Sequence, residues 1–280
     1  MTNVRIVTDS SAHLTPEEIE AYGISIIPLR IRIGDKVYNE FTELSYEDYF
    51  HKLEKNGKLP SAEAPPLQDM VDLYYQLSQD ATHIISIHTS SKLNGVVDVA
   101  RTAASLIRSH TRITVIDSET LSRGLGVVVL KAAEMAQAGA DAQEIGREIR
   151  GRIPAVFLAF LTSDLNYLEQ GKRLRKSQAC LGSILGVRAM TEIREGNLLV
   201  MDKARDAVGA VDKLYDYISE FAYLEEIALL QHNNVRESTA LLKRLQDLRP
   251  NINIFTDVYD ATLATFIGPN AMGVIVREAY

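Results

Sequence analysis

The stretch of sequence that decides the fold is Ile84-Ile85-Ser86-Ile87-His88-Thr89-Ser90-Ser91-Lys92-Leu93-Asn94-Gly95. It begins as an apolar run, continues into consecutive hydroxyl side chains and ends at a glycine, and the apolar spacing over 96–107 then predicts a helix. The start of that helix offers unpaired backbone N–H groups and the positive end of the helix dipole, which suit a carboxylate or a phosphate. The same residues also fit a plain helix cap formed by Ser90, Ser91 or Asn94.

Two more strand–helix pairs surround this stretch, a strand at 5–8 with a helix at 16–22 and a strand at 112–116 with a helix at 122–138. Strands that alternate with helices predict a mostly parallel sheet covered by helices. The carboxyl ends of parallel strands share one edge of a sheet, where ligands gather. We therefore expect one crevice to collect the loop at 89–95 and the polar residues that end the other two strands. These strand-end candidates are Asp9, Ser10, Ser11, Asp117 and Ser118.

The rest of the chain predicts a hairpin and, later, a change of fold class. The hairpin has strands at 24–33 and 36–40, and helices at 46–54 and 67–78 enclose a non-helical loop that contains Pro60, Pro65 and Pro66. A helix at 141–153 ends near Pro154. Beyond it the elements predicted are strands at 155–161, 185–193, 198–203, 227–231 and 252–255, and helices at 207–222 and 236–248. Hairpin-linked strands beside grouped helices favour an α+β domain, so we predict two domains, 1–154 and 155–280.

Composition excludes several classes of partner. The chain has 280 residues, 46% of them hydrophobic, and a net charge of −7, which argues against binding to nucleic acid or to an anionic membrane. No apolar stretch is long enough to span a bilayer, and residues 1–5 lack the start of a signal peptide. The single cysteine, Cys180, suits a reducing compartment, so we expect a cytoplasmic protein.

Familiar catalytic and cofactor motifs are missing or incomplete. The six histidines show no metal-ligand spacing, and Arg123-Gly124-Leu125-Gly126 lacks the third glycine of a dinucleotide fingerprint, so we expect neither metal nor cofactor and attribute these glycines to close helix packing. No Gly-x-Ser-x-Gly elbow occurs, and the loop serines have no evident histidine partner. Asp9 and Asp117 are candidate general bases, although helix capping is the preferred interpretation. The basic run 172–176 fits either an acidic partner or a solvated loop.

Taken in order, these segments resemble the DegV family, the acyl-binding subunits of bacterial fatty-acid kinases. The resemblance runs from Val4 to about Val276. The motifs that carry it are Val7-Thr8-Asp9-Ser10-Ser11, Ser90-Ser91-Lys92-Leu93-Asn94-Gly95, Val115-Ile116-Asp117-Ser118, the stretch 165–174 with Gly171-Lys172-Arg173, and Gly268-Pro269 with Gly273. Each motif is weak alone, but their order and spacing are specific.

The resemblance implies a two-domain α/β protein, with a mostly parallel N-terminal domain and a C-terminal α+β domain that contains the ligand tunnel. Such a protein holds one long-chain fatty acid, with the carboxylate near the interdomain cleft, and has no catalytic centre of its own. A separate ATP-dependent fatty-acid kinase subunit phosphorylates the carboxylate, as a step of phospholipid metabolism. We expect membrane contact to be at most transient.

The carboxylate site implied by the resemblance departs from the family pattern at three positions. The family's Leu-Ser-Gly-Thr reads Leu93-Asn94-Gly95-Val96, its Thr-Ser-Gln-Pro-Ser begins with Pro60-Ser61, and its histidine before Thr-Gly-Pro is Phe266, which cannot hydrogen-bond a carboxylate. The residues implied at the carboxylate end are Ser61, Ser90, Ser91, Asn94, Gly95, Arg205, Phe266 and Gly268. Those implied to dock the kinase are Lys172 and Arg173.

Three alternatives remain open beside fatty-acid binding. A changed headgroup site favours a different ligand. An enzyme that acts on a small acid or phosphate would use Asp9 and Asp117. An interaction module would have its tunnel filled by side chains.

Overall fold

The computed structural model describes residues 3–279. Met1, Thr2 and Tyr280 lie outside the described residues, and so does part of the segment used for the signal-peptide prediction. The strands are β1 (Val4–Asp9), β2 (Ser25–Ile27), β3 (Arg30–Ile33), β4 (Lys36–Asn39), β5 (Ser61–Glu63), β6 (His83–His88), β7 (Arg112–Asp117), β8 (Val156–Thr162), β9 (Arg188–Arg194), β10 (Asn197–Ala204), β11 (Leu224–Gln231), β12 (Ile254–Asp257) and β13 (Ala271–Glu278). The helices are α1 (Pro16–Tyr22), α2 (Tyr46–Asn56), α3 (Leu67–Leu77), α4 (Val96–Leu106), α5 (Arg123–Gln137), α6 (Ala142–Arg152), α7 (Leu165–Gln170), α8 (Lys176–Ile184), α9 (Ala207–Ser219), α10 (Val235–Leu248) and α11 (Ala261–Ile267).

The chain forms two compact units. Within the described residues, the first comprises 3–45 and 60–154, and the second comprises 46–59 and 155–279. The two predicted domains assigned 46–59 to the first, whereas the structure places this segment, which includes α2, in the second unit. The reason lies in packing, because Phe50 of α2 stacks on His232 with ring centroids 3.6 Å apart.

The first unit is built on a parallel sheet of four strands in the order β2-β1-β6-β7. This confirms the mostly parallel sheet predicted from the alternation of strands and helices. Strands β1 and β6 are buried along most of their length, as expected where helices cover both faces of a parallel sheet. Local signals set the helix ends: Thr15 and Glu18 form a capping box at the start of α1, and Gly23, at φ +59°, ends that helix in the left-handed region.

The loops of the first unit correct one prediction and add a short strand to the predicted non-helical loop. The segment 24–33 is not one hairpin strand, since β2 joins the parallel sheet beside β1 and only β3 pairs with β4. Pro28 lies between β2 and β3, where its missing N–H group cannot interrupt a ladder. The loop between Pro60 and Pro65 contains β5, which pairs antiparallel with β3.

The second unit contains a mixed sheet of six strands in the order β10-β9-β8-β13-β11-β12. All neighbours are antiparallel except β11 and β12. Helices α9 and α10 pack beside this sheet, and the core between them includes Leu161, Leu214, Leu241, Met272 and Val274. The α/β class with an α+β second part is thus confirmed.

Short helices of the second unit were not predicted from the sequence. Residues 185–193 were expected to form a strand, but α8 ends at Ile184, Leu185 caps it, and β9 begins at Arg188. Helices α7 and α11 were not predicted at all. Across 3–279 the helices all fall short of the length and apolar character that a bilayer span requires.

Candidate functional site

The carboxyl ends of β1, β6 and β7 lie side by side and bring the predicted strand-end residues together. Asp9, at the end of β1, is fully buried. Its Oδ1 accepts from the Ser11 hydroxyl at 2.6 Å and from the Thr89 hydroxyl at 2.8 Å, and its Oδ2 accepts from the Thr89 amide at 2.8 Å. Both carboxylate oxygens of Asp9 are therefore occupied, which supports the structural interpretation over a role as general base.

A linear chain of hydrogen bonds continues from Asp9 into the core. His88 Nδ1 lies 3.1 Å from Asp9 Oδ2, His88 Nε2 lies 2.7 Å from Ser86 Oγ, and the Tyr74 hydroxyl donates to Ser86 Oγ at 2.7 Å. The serine–histidine pair was missed because Ser86 lies within β6 and not in a loop.

This chain has the connectivity of a Ser-His-Asp triad, but its members have no access to substrate. Ser86, His88 and Asp9 each have 0% relative exposure. Burial by itself raises the pKa of Asp9, and the hydrogen bond and charge of His88, with donors from Ser11 and Thr89, outweigh it and hold that pKa below its ordinary value. The arrangement therefore stabilises a buried carboxylate and fixes the start of the loop at 89–95.

The loop at 89–95 combines capping with one unused donor. Asn94 Oδ1 accepts from the Val96 amide at 3.1 Å, which is the predicted helix-capping role. Asn94 Nδ2 is buried and has no hydrogen-bond partner among the described residues. Ser91 is committed elsewhere, since its hydroxyl and amide both donate to Asp117. The amide nitrogen of Asn94 is thus a buried donor of this loop that remains available for an oxyanion.

Of the other candidate residues in the first unit, Ser90 and Ser61 lie in or near this loop, whereas Ser10 and Ser118 are hydrogen-bonded elsewhere. Ser90 is fully buried and its Oγ accepts from the Lys92 amide at 3.3 Å. Ser61 begins β5, and a Cβ atom at Gly95 would lie 3.8 Å from the Cβ of Ala64, so the segment after β5 approaches the loop. Ser10 instead donates to Glu40 at 2.7 Å, and Ser118 donates to the Thr120 carbonyl at 3.3 Å.

Three buried hydroxyls at the same edge of the sheet were not predicted from the sequence. Thr8, Thr120 and Ser122 have exposures of 2% or less, and their hydroxyl oxygens have no partner within the described chain. Buried polar groups are normally hydrogen-bonded, so unpaired hydroxyls at a strand edge point to a ligand or to water. The signal was available, because Thr120 and Ser122 closely follow the Asp117-Ser118 pair that was singled out.

The candidate residues of the second unit lie in different surroundings. Arg205 is exposed, and among the described residues no hydrogen bond or ion pair holds its side chain. Phe266 lies under the guanidinium of Arg173, whose Cζ is 5.1 Å from the ring centroid. Lys172 occupies the left-handed region at φ +58°, in the turn between α7 and α8.

Gly268 has a structural role in the turn before β13. Its φ of +78° is a conformation that favours glycine, and a Cβ there would overlap Asp164. Asp164 accepts from the backbone amide of Asn270 at 2.6 Å and from its side chain at 3.0 Å. Burial raises the pKa of Asp164 despite these donors. The tight reversal predicted at 265–273 is therefore held by this carboxyl group.

An apolar cavity of about 500 Å³ lies within the second unit, beside α8 and the β9–β10 hairpin. Its apolar lining includes Leu174, Leu181, Leu185, Val187, Val200 and Met201. This volume is within the range of roughly 300–1,000 Å³ that small-molecule pockets occupy. Leu181 and Leu185 are 59% and 72% exposed, so part of this lining also faces solvent.

Over 3–279, the acidic, histidine and cysteine side chains form no group able to hold a metal ion.

Comparison with known proteins places these features in a family. A family model described as "Uncharacterised protein, DegV family" matches residues 3–279. The chain belongs to the DegV family. This confirms the resemblance drawn from the order of the sequence motifs.

Individual DegV proteins support the same conclusion over the full length. A DegV domain-containing protein of Caldanaerobacter subterraneus is 30% identical over 283 residues, covering 99% of this chain and 100% of the relative. The crystal structure of DegV from Bacillus subtilis, a fatty acid binding protein, aligns with a TM-score of 0.87 at 27% identity and covers 100% of both chains. A fatty acid binding DegV family protein of Streptococcus agalactiae has a TM-score of 0.89 at 23% identity, again over 100% of both chains, and shows that the fold is shared.

Proposed function

We propose that this DegV-family protein binds one long-chain fatty acid, with the hydrocarbon chain in the cavity beside α8. The observation that carries the proposal is this cavity, whose lining is mostly apolar. Transfer of an acyl chain from water to such a lining lowers the free energy, whereas a small polar acid would find few hydrogen-bond partners there. The full-length similarity to the Bacillus subtilis fatty acid binding protein supports the same ligand class.

For the carboxylate end we propose donors from the loop at 89–95. Asn94 supports this assignment best, because its Nδ2 is a buried donor without a partner among the described residues. Ser90 and Gly95 belong to the same loop, and Ser61 begins the strand whose following segment approaches it. Arg205 remains a proposed source of positive charge, and its exposure predicts only a modest contribution.

We further propose that the protein presents its ligand to a separate ATP-dependent fatty-acid kinase subunit and performs no chemistry itself. The enzymatic alternative needs Asp9 or Asp117 as a base. Asp9 is buried with both oxygens occupied, and Asp117 accepts from the hydroxyl and amide of Ser91. Lys172 and Arg173 are the residues proposed to dock this kinase subunit. The proposed location is the cytoplasm, a reducing compartment that suits a protein with a single cysteine.

Native mass spectrometry of the purified full-length chain tests the ligand class. The expected result is a protein peak whose added mass equals one long-chain fatty acid, released on denaturation and identified after extraction. If the protein is ligand-free as purified, delipidated samples are mixed with palmitate or oleate and should acquire one equivalent. A protein that carries no acyl chain and takes up neither acid contradicts the proposal.

A further inference from the structure

A second cavity of the second unit lies at the carboxyl ends of β11 and β12. These two strands are adjacent and parallel, and α10 connects them. The cavity has a volume of about 300 Å³, near the lower limit for small-molecule pockets, and it shares no lining residue with the acyl cavity. Open α/β sheets bind ligands at the carboxyl ends of such strands, so the position suits a small ligand other than the fatty acid.

The polar groups of this cavity include both donors and acceptors of hydrogen bonds. Gln231 Oε1 accepts from the Asn234 amide at 3.0 Å, which leaves Gln231 Nε2 as a donor without a partner among the described residues. The hydroxyls of Ser238 and Thr239 both donate to the Val235 carbonyl, at 3.1 and 2.7 Å, so their oxygens keep lone pairs with which to accept. A hydroxyl group of a ligand satisfies both kinds of partner, whereas an ammonium group can only donate.

Asp257 adds a negative charge to the lining of this cavity. It is the last residue of β12, is exposed to solvent, and accepts through Oδ1 from the Val258 amide at 2.7 Å. The two oxygens of an ionised carboxylate offer about four lone-pair sites, so a carboxylate can accept from two adjacent hydroxyl groups at once. None of the described lining residues is a lysine, arginine or histidine, so the lining offers an anion no opposite charge.

The rest of the lining and the chain order both suit a sugar. Leu229, Leu242 and Val258 provide apolar surface on which the C–H face of a sugar ring can pack. In dinucleotide-binding folds an acidic residue beyond the helix of a βαβ unit hydrogen-bonds the ribose, and Asp257 lies beyond α10 in the same way. The segment 232–234 between β11 and α10 has no glycine, so it lacks the usual loop for a phosphate group.

We propose that this cavity binds a neutral sugar, either free or as the ribose of a nucleoside. Two adjacent hydroxyl groups of the sugar donate to the carboxylate of Asp257, and a sugar oxygen accepts from Gln231 Nε2. The site goes beyond fatty-acid binding, because it requires neither the acyl cavity nor the loop at 89–95.

Titration of the full-length protein with adenosine and, separately, with D-ribose tests the site. The NMR signals of the Thr256 and Asp257 amides should shift saturably with at least one of them. The 2-deoxy form of the probe that binds, 2′-deoxyadenosine or 2-deoxyribose, should bind at least about tenfold more weakly, the scale of one lost hydrogen bond to a charged group. Asp257→Asn should weaken binding of the parent sugar by at least about the same factor, because only one neutral acceptor remains.

Matched variants separate this site from general effects of charge and folding. Asp247→Asn removes an exposed charge of α10 outside the cavity and should leave the sugar affinity unchanged. Thr239→Phe should fill the cavity and abolish saturable binding, whereas Ala240→Phe, at the exposed neighbouring position outside the lining, should not. Circular dichroism confirms that each variant is folded, and the phenylalanine pair tests the cavity even if Asp257→Asn fails to fold.

The outcomes decide between a sugar site and none. Saturation with adenosine alone identifies a nucleoside site, and saturation with ribose identifies a site for the sugar itself; both support the proposal. The absence of saturable shifts with either probe, equal affinity for the 2-deoxy form, or unchanged affinity in Asp257→Asn or Thr239→Phe overturns it. Asp257→Asn should bind palmitate as tightly as the parent protein. A protein that binds sugar but no palmitate would lose the proposed function and keep this site.

Discussion

At the residue scale, Asn94 has two separable roles in one side chain. Its Oδ1 caps α4 through the Val96 amide, and its Nδ2 is the unpaired donor of the loop. Asn94→Asp keeps an acceptor for the cap and replaces the donor with a negative charge. We expect fatty-acid affinity to fall at least about tenfold, because a like charge would face the ligand carboxylate.

The control for this prediction is Asn94→Ser, which restores the family residue and a hydroxyl donor. Its affinity for palmitate should stay within about threefold of that of the parent protein, the scale of a neutral hydrogen bond that is exchanged for another. Isothermal titration of delipidated protein measures both variants. Equal palmitate affinities of the aspartate and serine variants would show that Asn94 does not contact the carboxylate of the fatty acid.

Asp9 is expected to make the stability of the first unit depend on pH. Because its pKa in the folded protein is below its ordinary value of 3.8, its contribution to the free energy of unfolding is complete above that value. The contribution is lost as the pH falls from about 5 through the lower folded pKa. Urea unfolding at pH 7, 5, 4 and 3 should show a steeper loss of stability for the parent protein than for Asp9→Asn.

The same variant should be less stable at pH 7 by about 2–4 kcal/mol, since a buried network loses its negative charge and one of the two oxygens that accept from it. Ser118→Ala is a suitable control, because it removes one buried hydroxyl after β7, a strand that does not pair with β1, and this hydroxyl donates to a carbonyl and not to a carboxylate. A pH profile of Asp9→Asn that is parallel to the parent profile would contradict this role of Asp9.

Residues that are far apart in the sequence limited prediction at this scale. The end of β1 was identified from its local pattern, but the bonds from Asp9 to His88 and Thr89 join positions about 80 residues apart. Ser86 and His88 share one face of β6 because they are two residues apart, but no local pattern predicts that Tyr74 reaches the same serine oxygen from α3. The contact of Arg173 with Phe266 is non-local in the same sense.

At the element scale, close packing of α5 explains one glycine of the incomplete dinucleotide fingerprint. A Cβ atom at Gly126 would overlap the carbonyl oxygen of Ala12, in the turn after β1. Gly126→Ala should therefore lower the free energy of unfolding by about 1–3 kcal/mol, because the helix must move away from backbone that cannot yield. Urea denaturation at pH 7 measures the change.

Gly146, within α6, provides the matched control. Its added Cβ would meet only the movable end of Arg150, at 3.1 Å from Nη1. Gly146→Ala should raise stability by about 0.5–1 kcal/mol through helix propensity. The opposite signs distinguish a packing effect from a general preference for alanine, and two changes of the same sign would refute the packing explanation.

The elements that were predicted well are those with strong local signals. The bounds of α1 were predicted correctly because Thr15, Pro16 and Gly23 mark its ends. Helices α7, α8 and α11 are six, nine and seven residues long, too short for their apolar spacing to be separated from that of a loop or strand. Helix α8 also exposes apolar side chains, which obscures the usual division between a buried and a solvated face.

At the scale of the whole molecule, the sequence predicted the classes of both units and the position near 154 where the second long segment begins. It did not predict that 46–59 belongs with that second segment. The assignment depends on tertiary contacts such as the stacking of Phe50 on His232, which composition and turn signals along the chain do not encode. Membership of the DegV family was recognisable because motif order survives when single residues such as Asn94 and Phe266 change.

The cavity beside α8 offers a substitution that tests the ligand assignment of the whole protein. Val187 is half-buried and lines the cavity, so Val187→Trp should fill space that the acyl chain needs. Val208, on α9, is 71% exposed and does not line the cavity, so Val208→Trp makes the same chemical change without that effect.

The most direct measurement is therefore the dissociation constant of palmitate, determined by isothermal titration for the delipidated parent protein and these two tryptophan variants. Fatty-acid binding within the second unit predicts one site in the parent protein, unchanged affinity in Val208→Trp, and at least a tenfold weakening in Val187→Trp, equivalent to about 1.4 kcal/mol or more. A folded parent protein without palmitate binding, or a Val187→Trp variant that binds as tightly as its control, would contradict the account.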